Sequence, residues 1–234
     1  MISLVGKNLT AGYGGVDIIK NINLEVKQGE IVVIVGPNGA GKSTAMKALL
    51  GMLKLTDGGV SFAEDDITFM LPQDRVNLGI AFVPQTQNVF TGMSVEENLE
   101  MGGFIRSDDI RLTIEDIYNL FPILKEKRNQ NAGELSGGQR QQVAFGRALM
   151  TKPKILMLDE PTAGVSPIVM DELFSRIIEV GKTGVGILMV EQNAKQALNI
   201  ADRGYVLVNG KHSREGSGQD LLNNPEVRKS FLGG

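Results

Sequence analysis

The sequence predicts an α/β fold with a mainly parallel core sheet, to which an antiparallel β subdomain and a helical subdomain are added. Apolar segments at 154–158 and 186–190 each precede a stretch of helical character, and a repeated strand-then-helix order gives a parallel sheet with right-handed crossovers. Residues 3–10 and 18–27 alternate between apolar and polar, as half-exposed antiparallel strands do. Residues 94–150 show only helical patterns.

The length of the chain sets its domain organisation. A chain of 234 residues is long enough to bury a full core and fits one domain. We expect a single domain over residues 1–234, with the parallel core and antiparallel part in about 1–85 and 151–234 and the helical subdomain in about 86–150.

Composition excludes several classes of function. The formal net charge is −3 and no long basic block is present, which argues against a nucleic-acid partner bound through its phosphates. Cysteine is absent, so disulfides and cysteine-ligated metals are excluded, and this suits a reducing cytosol. No apolar run approaches the roughly 18–20 residues that cross a bilayer, and residues 1–12 lack a signal-peptide pattern. We therefore expect any membrane contact to be made through a partner.

A glycine-rich loop between the apolar segment 30–35 and a helix predicted from Thr44 to Gly51 is the main functional motif. It fits the pattern G-x-x-x-x-G-K-[S/T], whose backbone N–H groups and following helix N-terminus bind phosphates. Lys42 is expected to reach the β- and γ-phosphates, and Ser43 to offer its hydroxyl to Mg²⁺. The predicted nucleotide-binding residues here are Gly36, Pro37, Asn38, Gly39, Ala40, Gly41, Lys42, Ser43 and Thr44.

Two further segments carry candidate nucleotide contacts. Tyr13 lies in a glycine-rich turn before the phosphate loop, where its ring either stacks on an adenine or covers the sheet edge. Ser136-Gly137-Gly138-Gln139 stands immediately before an amphipathic helix. It either caps that helix or forms a second anion-binding nest. Two such nests suggest two nucleotides, or one nucleotide shared between two chains.

Two carboxylates end the apolar strand at 154–158. Asp159 and Glu160 follow it directly, at the carboxyl edge where open α/β sheets bind ligands. Asp159 is placed to hold Mg²⁺, and Glu160 to orient and deprotonate an attacking water. Gln85 also follows a predicted strand, at 79–83.

The remaining elements complete the chain in order. They are a turn at Asp57-Gly58-Gly59, a strand over 60–62, a helix over 72–77 opened by Pro72, a helix begun by a Ser94–Glu97 capping box, a helix over 108–124, helices over 167–182 and 193–201, a hairpin at Asn209-Gly210 and a helical end reaching Phe231.

In this order the phosphate loop, Gln85, Leu135-Ser136-Gly137-Gly138-Gln139 and Asp159-Glu160 resemble the ATP-binding cassette (ABC) ATPases, the nucleotide-binding subunits of ABC transporters. The Leu-Ser-Gly-Gly-Gln segment after a helical insertion is the most specific of these marks. The resemblance covers essentially the whole chain. It implies an ABC-type P-loop NTPase fold, ATP and Mg²⁺ as cofactors, and ATP hydrolysis coupled to transport.

The resemblance also implies roles for particular residues. Tyr13 becomes the adenine-stacking ring, and Gln85 the metal- and water-contacting residue that reports to the membrane partner. Ser136, Gly137, Gly138 and Gln139 contact the γ-phosphate held by the opposite subunit. The implied metal-site residues are Ser43, Gln85 and Asp159.

A narrower likeness rests on 95–103, 120–122, 190–194, 201–207 and the ending 231–234. These stretches resemble the second ATPase subunit of branched-chain amino acid importers; related urea or amide importers use similar subunits. The likeness implies a second, homologous ATPase subunit or a second copy of this chain, two transmembrane permeases and, indirectly, a solute-binding protein. It implies a peripheral position on the cytoplasmic face of the plasma or inner membrane. The alternative is a soluble ABC ATPase acting without a transporter, as in iron–sulfur cluster assembly.

Two positions depart from the wider family pattern. Gln192 stands where most members have a histidine that contacts the γ-phosphate, and the only histidine, His212, lies in the predicted hairpin. A neutral amide cannot carry the charge of an imidazolium, although glutamine is usual in the branched-chain subgroup. Ser166 stands where an aspartate is common. Gln192 is therefore the predicted switch position of the catalytic site.

Overall fold

A computed structural model describes residues 2–232 as two β-sheets with helices packed against them. The strands are β1 (Ser3–Tyr13), β2 (Val16–Lys27), β3 (Ile31–Val35), β4 (Leu55–Phe62), β5 (Asp65–Asp66), β6 (Ile80–Val83), β7 (Ile155–Asp159), β8 (Gly186–Val190), β9 (Arg203–Val208) and β10 (Lys211–Ser217). The helices are α1 (Lys42–Leu49), α2 (Pro72–Leu78), α3 (Val95–Gly102), α4 (Arg111–Leu120), α5 (Pro122–Glu126), α6 (Gly137–Leu149), α7 (Pro167–Lys182), α8 (Ala194–Ile200), α9 (Gly218–Asn223) and α10 (Pro225–Val227), followed by a π-helical turn at Arg228–Leu232.

The larger sheet is mainly parallel, as predicted. Its six strands run in the order β10-β9-β3-β8-β7-β6. All neighbours pair in parallel except β9 and β10, which form the hairpin predicted at Asn209-Gly210. Every residue of β3, β7 and β8 is buried, which accounts for their nearly unbroken apolar sequences.

The smaller sheet contains the predicted antiparallel strands, in the order β2-β1-β4-β5. The predicted turn at Asp57-Gly58-Gly59 is wrong, because these residues lie inside β4, where Asp57 pairs with Thr10 and Gly59 with Lys7. The register of the two strands shifts between these pairs, and Gly58 has a φ of +87°. A glycine with positive φ thus serves a bulge within the strand here instead of a reversal of the chain.

The four helices α3 to α6 lie between β6 and β7 in the chain. The capping box at Ser94 and Glu97 is confirmed. The helix predicted over 108–124 is divided into α4 and α5, because Phe121 leaves the helical conformation (φ −130°, ψ 75°) immediately before Pro122. Proline disfavours the helical conformation of the residue that precedes it and cannot donate a helical hydrogen bond.

The core consists of two layers, one on each face of the parallel sheet. Val33 and Val35 of β3 pack with the helical residues on one face, while Val32 and Ile34 pack with α1 and the antiparallel sheet on the other. Successive side chains of a strand point to opposite faces, so both faces of the sheet are covered. Among residues 2–232, no helix is long and apolar enough to span a bilayer.

A buried arginine fastens the loop before α2 to the end of α1. Arg75 is 1% exposed, and its guanidinium donates hydrogen bonds to the carbonyl oxygens of Leu49, Ile67, Thr68 and Met70 at 2.6–3.0 Å. Leu49 ends α1, so one of its unpaired helix-terminal carbonyls is satisfied by this side chain. Arg75 therefore links α2 and the loop before it to the C-terminal end of α1.

We predict that Arg75→Met lowers the free energy of unfolding by about 2–4 kcal/mol, because buried carbonyls lose charged donors. Urea denaturation followed by circular dichroism measures this. Arg111→Met is the matched control, since Arg111 pairs with Asp109 through a side chain that is 86% exposed and should give no measurable change. Equal stability of the two variants would contradict the prediction.

Candidate functional site

Three buried strands end at one edge of the parallel sheet, and the candidate residues collect there. In the pairing register, Val190 at the end of β8 lies beside both Ile34 of β3 and Asp159 of β7. The loop after β3 contains residues 36–41. Because ligands bind beyond the carboxyl ends of parallel strands, this edge is the candidate site.

The phosphate loop turns directly into α1. Gly41 precedes the helix with a φ of +92°, and a Cβ atom there would lie 2.7 Å from Cγ2 of Ile19. Only glycine combines this backbone conformation with this close approach. Within residues 2–232, no side chain caps the start of α1 and its first turn has no acidic residue, so its first N–H groups are available to an anion.

A cavity of about 180 Å³ lies over this loop. It is open to solvent and bordered by Glu160 on one side. Its lining residues are Ile18, Asn38, Gly39, Ala40, Gly41, Lys42, Ser43, Thr44 and Glu160. The structure thus places most of the predicted phosphate loop around one concave surface together with the second carboxylate of Asp159-Glu160.

Lys42 is the buried cation of the site. It is 5% exposed, and its ammonium donates to the carbonyl oxygens of Gly36 and Pro37 at 2.9 and 3.2 Å. Burial lowers the pKa of Lys42, while the negative charges of Glu160, Asp159 and Glu191 oppose that shift. The three carboxylates therefore help to keep the ammonium protonated.

Two side-chain hydrogen bonds tie the motifs together. The Ser43 hydroxyl donates to Oδ1 of Asp159 at 2.9 Å, and the Gln85 amide donates to Oε2 of Glu160 at 2.7 Å. Four residues that are far apart in the sequence therefore form two adjacent pairs. The contact between Gln85 and Glu160 was not expected from the sequence.

The pair of Ser43 and Asp159 has the chemistry of a magnesium site. Mg²⁺ prefers hydroxyl and carboxylate oxygens and binds through one or two protein ligands together with waters and substrate phosphates. Across residues 2–232, no cluster of three or more His, Cys, Asp or Glu side chains is arranged to hold a metal by itself. The residues present fit a metal shared with a nucleotide.

Glu160 has an unusual backbone conformation. Its φ is +47°, in the left-handed region that costs a residue with a side chain about 1–2 kcal/mol. Its N–H bonds to the carbonyl oxygen of Val190 at 2.9 Å, which ties the turn to the end of β8. Strain of this kind persists only where surrounding contacts enforce it, and it concentrates at functional sites.

Other predicted residues do not line this cavity. Tyr13 ends β1, is 50% exposed and pairs with Val16 across the hairpin. Ser136 caps α6 in a reciprocal box with Gln139, so the capping interpretation holds geometrically. Gly137 and Gln192 are exposed. Within one chain, the structure brings together the phosphate loop, Gln85, Asp159 and Glu160, without Tyr13 or residues 136–139.

Sequence reasoning missed a buried carboxylate beside this group. Glu191 is 1% exposed and follows β8 directly. Burial raises its pKa, and hydrogen bonds from Thr162, Asn193 and Gln192 oppose the shift. The signal was available, because a charged residue at the end of a fully apolar strand is the same signal that identified Asp159.

The fold and this site define a P-loop nucleotide-binding protein of the α/β class. The sequence matches the family described as "ABC transporter" over residues 19–163, which is more than half of the chain. A branched-chain amino acid transport ATP-binding protein, BraG of Pseudomonas aeruginosa, is 44% identical over 223 residues, covering 95% of this chain and 96% of BraG. The lipopolysaccharide export ATP-binding protein LptB of Escherichia coli K12 is 34% identical, covering 100% of this chain and 98% of LptB.

Solved structures of ABC transporter cassettes also superpose on this chain. MJ1267, described as an ATP-binding cassette of an ABC transporter, superposes with a TM-score of 0.87 at 32% identity and full coverage of both chains. MJ0796, a bacterial ABC transporter cassette solved as a dimer, superposes with a TM-score of 0.81 at 26% identity, covering 94% of this chain and 99% of that one. The chain belongs to the ABC transporter family and is one of its ATP-hydrolysing cassettes. The resemblance and the fold predicted from the sequence are confirmed.

We predict that Lys42→Met weakens ATP binding by about 30- to 150-fold, because charged hydrogen bonds of this kind contribute about 2–3 kcal/mol. The methionine keeps the apolar stem and removes the charge. Titration with a fluorescent ATP analogue measures the affinity. Lys47→Met, on the same helix, is the control and should bind ATP normally; comparable losses in both variants would contradict the role of Lys42.

Proposed function

We propose that this chain is the ATP-binding subunit of an importer that takes up branched-chain amino acids or related small polar solutes. The observation that carries this proposal is the 44% identity to BraG over nearly the full length of both chains. LptB, which is 34% identical, is named as part of an export system, so cassettes similar to this chain also occur in exporters. The proposed direction of transport and the proposed substrate therefore follow from the higher identity to BraG. Fold alone does not determine them.

In the proposed site, the loop from Gly36 to Thr44 holds the ATP phosphates. Lys42 neutralises charge on the β- and γ-phosphates, and the N–H groups at the start of α1 add to this. Ser43, Asp159 and Gln85 would hold Mg²⁺, which would supply further positive charge to the phosphates. Their hydroxyl, carboxylate and amide oxygens are suitable ligands, and the bond between Ser43 and Asp159 supports the pairing.

Glu160 is the proposed general base. It borders the cavity beside the phosphate loop, and its hydrogen bond from Gln85 leaves the second carboxylate oxygen available to a water. Water attacks the γ-phosphate in line, Glu160 accepts its proton, and the bond from the γ-phosphorus to the β–γ bridging oxygen breaks, so that ADP and inorganic phosphate are released. Gln192 occupies the switch position as a neutral hydrogen-bonding side chain, so in this chain it positions the phosphate without adding charge.

A second cassette completes the proposed site. Ser136 and Gly137 are exposed, while the cavity in the same chain is lined by other residues. We therefore assign Ser136, Gly137, Gly138 and Gln139 to the γ-phosphate of the opposite subunit, which is either a homologous ATPase or a second copy of this chain. The dimeric MJ0796 cassette supports this arrangement. Tyr13, exposed at the edge of β1, is the proposed adenine-stacking ring.

A groove next to Gln85 is the proposed contact with the permeases. It has a volume of about 300 Å³ and is lined mainly by apolar residues that include Pro84, Phe90, Met101 and Phe104. Phe104 is 82% exposed, and such apolar surface marks interaction sites. Pro84 adjoins Gln85, so a partner seated here would lie one residue from the catalytic pair. With this contact, we assign the chain to the cytoplasmic face of the membrane, with a solute-binding protein acting on the other side.

We predict that Glu160→Gln retains ATP binding and loses most hydrolysis, because the amide cannot accept the proton of the attacking water. Phosphate release by the assembled complex should fall by about 100-fold or more. Glu179→Gln, which changes a half-exposed carboxylate on α7, is the control. An unchanged rate in Glu160→Gln would reject Glu160 as the base.

We predict that the tagged chain, purified from mildly solubilised membranes of its native host, carries two permeases and a second cassette subunit, identified by mass spectrometry. Phe104→Asp should release the permeases because a charge replaces the apolar contact. Leu112→Asp is the matched control, since Leu112 is 75% exposed and is outside the groove lining. Recovery without permeases would favour the soluble ATPase, and permeases of an export system would reject import.

A further inference from the structure

Glu191 joins the two loops that carry Glu160 and Gln192. Its Oε1 accepts hydrogen bonds from the backbone N–H and the hydroxyl of Thr162, at 3.0 and 2.8 Å. Its Oε2 accepts from the N–H of Gln192 at 3.0 Å. One carboxylate therefore connects the segment after β7 to the segment after β8.

The turn that carries Glu160 depends on this connection. Glu160 is in the left-handed region, at a φ of +47°, and its own N–H is held by Val190 at the end of β8. Pro161 follows and has no N–H to donate. Thr162, which is 1% exposed, provides the next two donors, and both go to Glu191. The turn is thus fixed on each side of Glu160 to the same strand end.

The carboxylate of Glu191 is not explained by packing alone. Its hydrogen-bond partners are uncharged groups, and burial raises its pKa. Above the raised pKa the folded state holds a charge that it disfavours, so ionisation of Glu191 reduces stability as the pH rises. A residue that costs stability beside a catalytic centre points to function. Its negative charge also raises the pKa of Lys42.

We propose that Glu191 is a positioning residue for ATP hydrolysis, which holds the Glu160 turn and the Gln192 loop in one fixed arrangement through the three hydrogen bonds that its two oxygens accept. A neutral amide in its place has one acceptor oxygen, and its NH₂ group faces an N–H donor. One of the two loops is then released. The inference rests on the proposed role of Glu160 as the base, and it is independent of what is transported.

The test compares Glu191→Gln with the wild-type chain in steady-state ATP hydrolysis. We expect kcat to fall by about 10- to 100-fold, because small displacements of a catalytic group have effects of this size. The KM for ATP should stay within about twofold, since the phosphate loop is untouched. The midpoint of thermal unfolding should change little, because the unfavourable burial of the carboxylate is relieved while one of its hydrogen bonds is lost. A merely structural residue would instead lose stability, and KM would rise with it.

Thr162 provides a second pair of variants. Thr162→Ser keeps both donors and should retain near wild-type kcat, whereas Thr162→Val removes the hydroxyl and should lower kcat with KM unchanged. Glu179→Gln again serves as the control for loss of a carboxylate elsewhere. The two Thr162 variants test the positioning role of Glu191 even if Glu191→Gln does not fold.

The proposal is overturned if Glu191→Gln turns over ATP within about twofold of wild type, or if Thr162→Val and Thr162→Ser have equal kcat. Glu160→Gln is measured in parallel to distinguish failure of the proposed base from failure of the proposed positioning residue. Full activity of Glu160→Gln would reject Glu160 as the general base. If Glu160→Gln is inactive and Glu191→Gln is active, only the positioning role of Glu191 is rejected.

Discussion

The alignment of three buried strand ends is the constraint on which the chemistry of this molecule depends. β3, β7 and β8 are buried along their whole lengths, so charged groups are tolerated only where these strands stop. The phosphate loop, Asp159 with Glu160, and Glu191 therefore occupy the same edge of the sheet. The apolar core on each face of the sheet forces the polar groups together, and this produces a site.

The site divides into a donor side and an acceptor side. Lys42 and the uncapped start of α1 present positive charge and N–H groups, and Glu160 borders the same cavity with a carboxylate. Fixed dipoles and charges of this kind stabilise a reaction without reorganising. Phosphate on the first side and water on the second is the arrangement that the proposed hydrolysis requires. Burial lowers the pKa of Lys42, and the carboxylates around it oppose that shift.

The helices α3 to α6 do not contribute to that edge of the sheet in the same way. Their main hydrophobic contacts belong to the core on one face of the parallel sheet, while their own polar feature, the start of α6, is exposed at Ser136 and Gly137. The apolar groove beside Gln85 is formed where α2, β6, α3 and α6 meet. One chain thus presents the phosphate loop, the separate N-terminus of α6 and the groove beside Gln85. Three separate surfaces of this kind suit a subunit that binds other chains.

Sequence by itself determined the elements whose signals are local. The apolar runs gave the buried strands, the glycine-rich loop gave the start of α1, and Ser94 with Glu97 gave the cap of α3, because each depends on residues only a few positions apart. Asp57-Gly58-Gly59 was misjudged because a positive-φ glycine serves a turn and a bulge equally well, and only the pairing with β1 distinguishes them.

Tertiary structure alone decided that Gln85 contacts Glu160, that Glu160 is held in a strained turn, and that Glu191 binds Thr162. These contacts join residues that are 29 to 75 positions apart, and their geometry is set by strand order and register.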